Sequence, residues 1–157
     1  MPLLVTTFKT PIGNLNLLAN DQILIGANLS TIGAFKAGKD VQVVKSIPVI
    51  SDLIKDYFDG DINAINGIKV SQPGAAFSQA AWKAMRKIAA GKTLSYSELA
   101  RRAGSPAAVR AAGSACANNA IMLVVPCHRV VKTGGALGNY AYGVSKKEWL
   151  LRHEGYF

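Results

Sequence analysis

Acidic residues are scarce in this chain, and the shortage is one-sided. Nine aspartates and glutamates face eighteen lysines and arginines. Before Phe77 six lysines meet six aspartates, whereas from Phe77 onward twelve basic residues meet only Glu98, Glu148 and Glu154. The whole excess of +9 therefore lies in the second half. That excludes a charge-balanced surface there and is the footprint of a phosphate-binding face. Cysteine is rarer still. Cys116 and Cys127 cannot build a disulfide framework, and no C-x-x-C pair offers a structural zinc site. Long apolar runs are absent, so no membrane span is expected. The short stretch Leu3-Leu4-Val5 has no basic region before it and no cleavage site after it, which argues against a secretory leader. With half of its residues apolar and 17% charged, the chain reads as a soluble folded protein and not as a disordered tail. Its 157 residues suffice for one domain or two small lobes.

What is present divides at Ser71-Gln72-Pro73-Gly74, a turn-forming cluster. The first half, residues 1–72, predicts strands at 3–8, 15–18 and 23–29, separated by turns at 11–14 and at Asn20-Asp21. A loop over 33–38 follows, then a helix with Pro48 in its first turn running to Phe58, then a return strand over 67–70. This half predicts an antiparallel sheet with one helix and carries no chemistry. The second half, residues 77–157, is mostly helical. Phe77, Ala81, Met85 and Ile88 share a face of a helix ending near Gly91. Ser95 and Glu98 form a capping box opening a second helix, closed by Gly104. Ser105 and Pro106 are placed to start a third, which makes a helix-turn-helix candidate. The third is a surface of alanines and glycine bearing one long polar side chain, Arg110, and such a surface can lie close against another helix or a DNA groove. Ser145 and Glu148 predict a further capping box before the final helix. Residues 121–125 read as a buried strand or extended segment. The expected fold class is α/β in two lobes, the second holding the helix-turn-helix and Cys127.

A thiol attacks as the thiolate and needs a base or a positive environment to form it. His128, one of two histidines, follows Cys127 directly. Neighbouring side chains of an extended chain point to opposite faces, so the two can cooperate only through a turn at Pro126 or a bridging water. A histidine in this role wants a carboxylate behind it. Glu98 and Glu148 are assigned to caps, which leaves Glu154.

Pro126-Cys127-His128-Arg129-Val130 is identical to the active-site motif of O6-alkylguanine-DNA alkyltransferases, and the chain resembles that family over residues 77–154. Leu94-Ser95-Tyr96, Arg110-Ala111-Ala112-Gly113, Asn119, Gly138-Asn139-Tyr140 and Leu150-Leu151-x-x-Glu154-Gly155 match in order. Weaker matches lie at Thr10-Pro11-Ile12-Gly13-Asn14-Leu15 and Tyr57-Phe58-Asp59-Gly60. The resemblance implies direct repair of double-stranded DNA carrying O6-alkylguanine, and O4-alkylthymine as well, by one irreversible alkyl transfer to Cys127. It implies that His128 is the base, acting through a water, and that Glu154 orients it. Asn119 would brace the turn carrying the cysteine, and Tyr96 would donate to the departing guanine. Arg110 would fill the space left by the flipped nucleotide, with Ala107, Ala108, Ser97, Thr133 and Arg101 contacting DNA through the minor groove. Arg102 and Lys132 are further phosphate contacts. Val130, Gly138, Asn139, Tyr140, Ala141 and Tyr142 would shape the substrate pocket. No metal, cofactor or membrane is implied. A monomer is expected, in the cytoplasm on DNA, or in the nucleus of a eukaryote.

Three positions depart from common members. Ala120 stands where many have proline, Ala141 where some have serine, and Tyr142 where some have glycine. Tyr142 is expected to limit alkyl size. Other readings explain less. Alkyltransferase-like proteins recognise damage without chemistry but lack the cysteine. A cysteine hydrolase explains neither the helix-turn-helix nor the charge, and a helix-turn-helix regulator leaves Cys127, His128 and Glu154 unexplained.

Overall fold

The computed structural model describes residues 2–157 and forms two compact units. One comprises the described residues up to Gln72 together with Ala120–Val124. The other comprises Pro73–Asn119 and Val125–Phe157.

In the first unit, β1 (Leu3–Thr10), β2 (Gly13–Asn20) and β3 (Ile23–Asn28) run antiparallel. Their connections, Pro11-Ile12 and Asp21-Gln22, are too short to do anything but reverse the chain. Two further strands make the sheet mixed where an antiparallel one was expected. β4 (Val41–Val43), which the sequence pattern does not announce, adds parallel to β1, and β5 (Lys69–Val70) adds parallel to β3. Both arrive over long connections, and only those permit parallel pairing. The order is β4-β1-β2-β3-β5. The central strand β2 is buried from Leu15 to Ala19 without alternation, as a strand covered on both faces must be. The expected loop at 33–38 begins with a 3-10 turn, Ile32–Phe35. Its Phe35 ring would lie 2.8 Å from a Cβ at Gly26, so only glycine fits there.

The helix expected from Pro48 starts later, as α1 (Ile50–Phe58), with Ile50, Ile54 and Tyr57 buried. Val49 has φ 69 and ψ −55, and Ile50 N bonds Pro48 O at 2.8 Å, a γ-turn that reverses the chain ahead of the helix. The stretch 121–125, expected as a buried strand or extended segment, is buried throughout but forms no continuous strand. Ile121 makes a single parallel bridge to Ala27, held by Ala27 N to Ala120 O at 2.9 Å and Met122 N to Ala27 O at 3.2 Å. Leu123 then takes φ 74, and Val124 N bonds Met122 O at 2.9 Å. A left-handed residue cannot continue a ladder.

In the second unit, α2 (Ala76–Arg86) buries Ala81, Trp82, Ala84 and Met85, and ends before the expected Gly91. β6 (Leu94–Ser95) leads into α3 (Tyr96–Arg102). The expected capping box is formed: Glu98 N to Ser95 Oγ and Ser95 N to Glu98 Oε1 are both 3.1 Å. Ser95→Ala should therefore cost about 1 kcal/mol in urea unfolding, since it strands one of the first amides of α3.

The next helix, α4 (Val109–Ala117), starts later than Ser105 and Pro106 suggest. Ser105 N closes the end of α3 on Ala100 O at 3.0 Å, and Ala108 N bonds Ser105 O at 2.9 Å. Ser105 is thus used up in the turn and caps nothing. Ala112 and Ala115 are buried, and Trp82 Nε1 donates to Ala115 O at 2.9 Å. α3 and α4 pack together as the expected helix pair. The last helix, α5 (Val144–His153), has no Ser145–Glu148 box, because Gly143 is the residue that turns into it. Glu148 instead pairs with Arg152 one turn on, at 2.9 Å in solvent. Among the described residues no helix is long and apolar enough to cross a membrane.

Candidate active site

The Pro126 box is shaped by its backbone. Pro126 has φ −84 and ψ 68, and Cys127 N bonds Val125 O at 2.8 Å. This inverse γ-turn suits proline, whose ring sets φ near that value and which has no amide to satisfy. It supplies the turn that cooperation of Cys127 with His128 requires. A single 3-10 turn, Cys127–Arg129, follows, then β7 (Val130–Val131). β7 pairs parallel with β6, Val130 opposite Leu94 and Val131 opposite Ser95. That pairing brings Tyr96, the first residue of α3, to the same cavity as Cys127.

All ten residues from Ile121 to Val130 are buried, and two of them, His128 and Arg129, are polar. Both meet the same carboxylate. His128 Nε2 lies 2.8 Å from Glu154 Oε2. Arg129 donates Nε to Glu154 Oε1 at 2.8 Å and its terminal NH2 group to Oε2 at 3.1 Å. Its other terminal NH2 group donates to Ile88 O at 2.7 Å. Burial pushes the Glu154 carboxyl up, but the charge and hydrogen bonds of His128 and Arg129 outweigh it. They hold the group well below the usual carboxylate range. Burial keeps His128 below its ordinary value and so neutral, with Glu154 acting against that. A neutral ring donating Nε2–H to Glu154 has Nδ1 as an acceptor. That atom is buried and has no hydrogen-bond partner among the described residues.

Cys127 is 7% exposed, and burial pushes its thiol up against the opposing effects of Asn119 and Lys147. It therefore rests as the neutral thiol and needs a base at the moment of attack. Asn119 sits behind it, with Nδ2 donating to Val125 O at 2.8 Å and the side chain also bonding the thiol. Tyr96 is pushed up by burial and by Cys116 and Cys127, so it keeps its proton and remains a donor.

The thiol opens on a cavity of about 760 Å³, within the range of roughly 300–1,000 Å³ usual for small-molecule sites. Of the residues expected to act, Tyr96, Arg110, Asn139, Tyr140 and Ala141 line it together with Cys127. Gly138 lies against it, since a Cβ there would sit 3.3 Å from Tyr96 Oη and from Lys132 Cγ. Tyr142 stands beside it: its ring meets Tyr140 edge-on with centroids 5.7 Å apart, and burial and the neighbouring Cys127 push its hydroxyl up. Val130 is fully buried behind the site and presents its carbonyl to Lys147. Ser97 and Arg101 are exposed on α3, Ala107 and Ala108 lie in the turn before α4, and Thr133 is exposed after β7.

Sequence reasoning assigned no role to two buried cations. Arg129 could have been found, because an arginine inside an apolar run must be paired and few acids are available. Lys147 is fully buried and donates to Val130 O at 2.6 Å and to Asn139 O at 3.3 Å. It lies four and seven residues before Leu151 and Glu154, so the helical period puts it on the inward face. The wall that α4 contributes, including Gly113, Cys116 and Ala117, was also not foreseen. Burial and the neighbouring Cys127 push the Cys116 thiol up to about 12.

Residues 76–156 match the family described as 6-O-methylguanine DNA methyltransferase, DNA binding domain. A methylated-DNA–protein-cysteine methyltransferase of Methanosarcina acetivorans is 34% identical over 155 residues, covering 94% of this chain and 96% of the relative. One from Shigella flexneri is 44% identical over 107 residues, covering 68% of this chain and 63% of the relative, so less than two thirds of that protein's length is spanned. Among solved structures, Mycobacterium tuberculosis OGT in complex with DNA superimposes with a TM-score of 0.84 at 30% identity, covering 97% of this chain and 92% of that one. The paired His128–Glu154 and the cavity on Cys127 thus sit in a sequence that is similar to these proteins along most of its length, and the chain belongs to the 6-O-methylguanine DNA methyltransferase family.

Proposed function

We propose that this protein repairs double-stranded DNA directly, moving the alkyl group of O6-alkylguanine, and of O4-alkylthymine, onto Cys127 Sγ once and irreversibly. The observation that carries the reading is the buried Glu154–His128 pair directly behind a thiol that faces an open cavity. The target carbon is inaccessible inside a duplex, so the nucleotide is extruded into the cavity, at a cost of a few kcal/mol. Arg110, exposed on α4, offsets part of that by occupying the vacated stack from the minor groove. The alanines at 107, 108 and 111 are small enough to let this face approach closely. Exposed Arg101 and Arg102, with Ser97 and Thr133, hold the backbone without regard to sequence.

In the chemical step His128 Nδ1 takes the Cys127 proton, through one water, and Glu154 stabilises the imidazolium against the opposing charges of Arg129 and Lys147. Sγ attacks the alkyl carbon, the C–S bond forms, and the C–O bond breaks. Tyr96 donates its proton to the leaving guanine and is reprotonated through solvent by the proton His128 took. Asn139, Tyr140 and Ala141 bound the base. The only group water could displace from a thioether is the cysteine thiolate, too poor a leaving group from an unactivated carbon, so each molecule acts once. The protein works as a monomer in the compartment that holds the DNA.

The test is transfer of labelled methyl from O6-methylguanine duplex DNA to the wild type and to Cys127→Ala, followed to its endpoint. The expected result is about one methyl per wild-type molecule, on the Cys127 peptide, and none on the variant. Tight lesion binding without transfer would make this a damage-recognition protein instead.

A further inference from the structure

Two basic side chains, Arg110 and Lys132, line the cavity, and no carboxylate does. Arg110 has a role in the proposed flipping step; Lys132 has only the general one of a phosphate contact. Its location is more particular than that. Lys132 follows β7 directly and begins a tight turn, with its N bonded to Ala136 O at 2.8 Å and Gly135 N bonded to its own O at 3.0 Å. The turn is short and internally bonded, so the lysine is presented from a fixed base. Its stem and the Tyr96 hydroxyl flank one point, both within 3.3 Å of where a Gly138 side chain would begin. Gly138, at φ 76, leaves that space open. Yet Lys132 is exposed, unlike the fully buried Lys147. It stands at the rim of the cavity, beside the residue proposed to protonate the base.

An extruded nucleotide remains bound to its backbone, so its own phosphate stays at the mouth of the pocket that holds its base. A hydrated ammonium at a rim suits a phosphate, a full charge that keeps much of its water, better than a base edge inside the pocket. Arg101 and Arg102 on α3 do not line the cavity and are left to the stacked duplex. We propose that Lys132 binds the phosphate of the flipped nucleotide itself and so holds the damaged base in the cavity. This rests on the alkyl-transfer reading and assigns one residue the retention of the extruded state.

The experiment compares Lys132→Gln with the wild type on two substrates, O6-methylguanine in duplex DNA and O6-methylguanine as the free base. The free base has no phosphate. The expected result is a duplex transfer rate about tenfold lower, the loss for one charge-assisted contact, with the free-base rate unchanged. Lys132→Arg should restore the duplex rate. The slope of log affinity against log salt for lesion DNA should shrink by about 0.9, one phosphate fewer. An equal loss on the free base would overturn the proposal by placing Lys132 on the base or in the chemistry. So would a duplex rate that does not change. Wild-type protein that transfers from neither substrate would overturn the alkyl-transfer reading, and this proposal with it.

Discussion

Replacing Glu154 with alanine is expected to destabilise the protein by about 3–5 kcal/mol and to remove most of the proposed alkyl transfer. The carboxylate holds two buried partners at once, His128 at 2.8 Å and Arg129 through two bonds of 2.8 and 3.1 Å. Without it the Arg129 guanidinium, 2% exposed, is left as an uncompensated charge with only the Ile88 carbonyl to bind. The imidazole loses both its orientation and the anion that stabilises its cation in the proposed step. Glu154→Gln keeps one bond to His128 but not the charge, so it should recover part of the stability and little of the rate. Urea unfolding and single-turnover transfer on the same preparations check both arms. Equal stability in wild type and Glu154→Ala would refute the account of the cluster.

The same cluster sets an acid limb. Glu154 is held below its unfolded value, about 4.3, so its contribution is fully present above that pH and drains away as pH falls toward the folded value. His128 is also lowered. Below about pH 6.5 the unfolded chain binds a proton that the folded one refuses, and stability falls there too. Wild-type stability should decline in two stages from neutral to acid pH, and Glu154→Gln should lack the lower stage.

The second large effect is expected at Lys147. Its ammonium ties Val130 at 2.6 Å to Asn139 at 3.3 Å, which joins the strand after Cys127 to the loop bounding the cavity. Lys147→Met fills a similar volume but strands two carbonyls, at about 1–3 kcal/mol for each that stays buried without a donor. It also removes the positive charge that draws the Cys127 thiol downward. The thiol should then ionise at higher pH, so the rising limb of the transfer rate against pH should move up. Lys147→Arg keeps the charge and should leave the limb in place even if packing suffers. A limb that stays put in Lys147→Met would reduce Lys147 to a structural tie.

Much of the site is legible in the order of the residues. Adjacent residues cannot be separated by folding, so Cys127, His128 and Pro126 announced a thiol, a base and a turn together. Glu154 followed because the second half offers so few acids. The Ser95–Glu98 box was readable because both of its bonds lie within one helical turn. The same pattern at Ser145 and Glu148 misled: glycine at 143 already turned the chain into α5, and nothing in the spacing reports the backbone angle of a preceding residue. Ser105 misled for a related reason, since its amide was taken by the turn closing α3.

Local chemistry along the chain announced the thiol, the histidine beside it and most of the helices, because each depends on residues within a turn or two of one another, and composition announced the one-sided positive charge. Contacts between distant segments settled the rest. β7 meets β6 across 36 positions, from Leu94 to Val130, and that pairing alone brings Tyr96 to Cys127. Glu154 reaches Arg129 as well as His128 only once α5 has packed. β4 joins β1, and Ile121 joins Ala27, through hydrogen bonds that any residue's backbone could make. Backbone pairing carries no side-chain signature, and burial of a lysine or arginine is decided by what surrounds it in space. Those choices belong to the packed chain and leave no mark in the order of its residues.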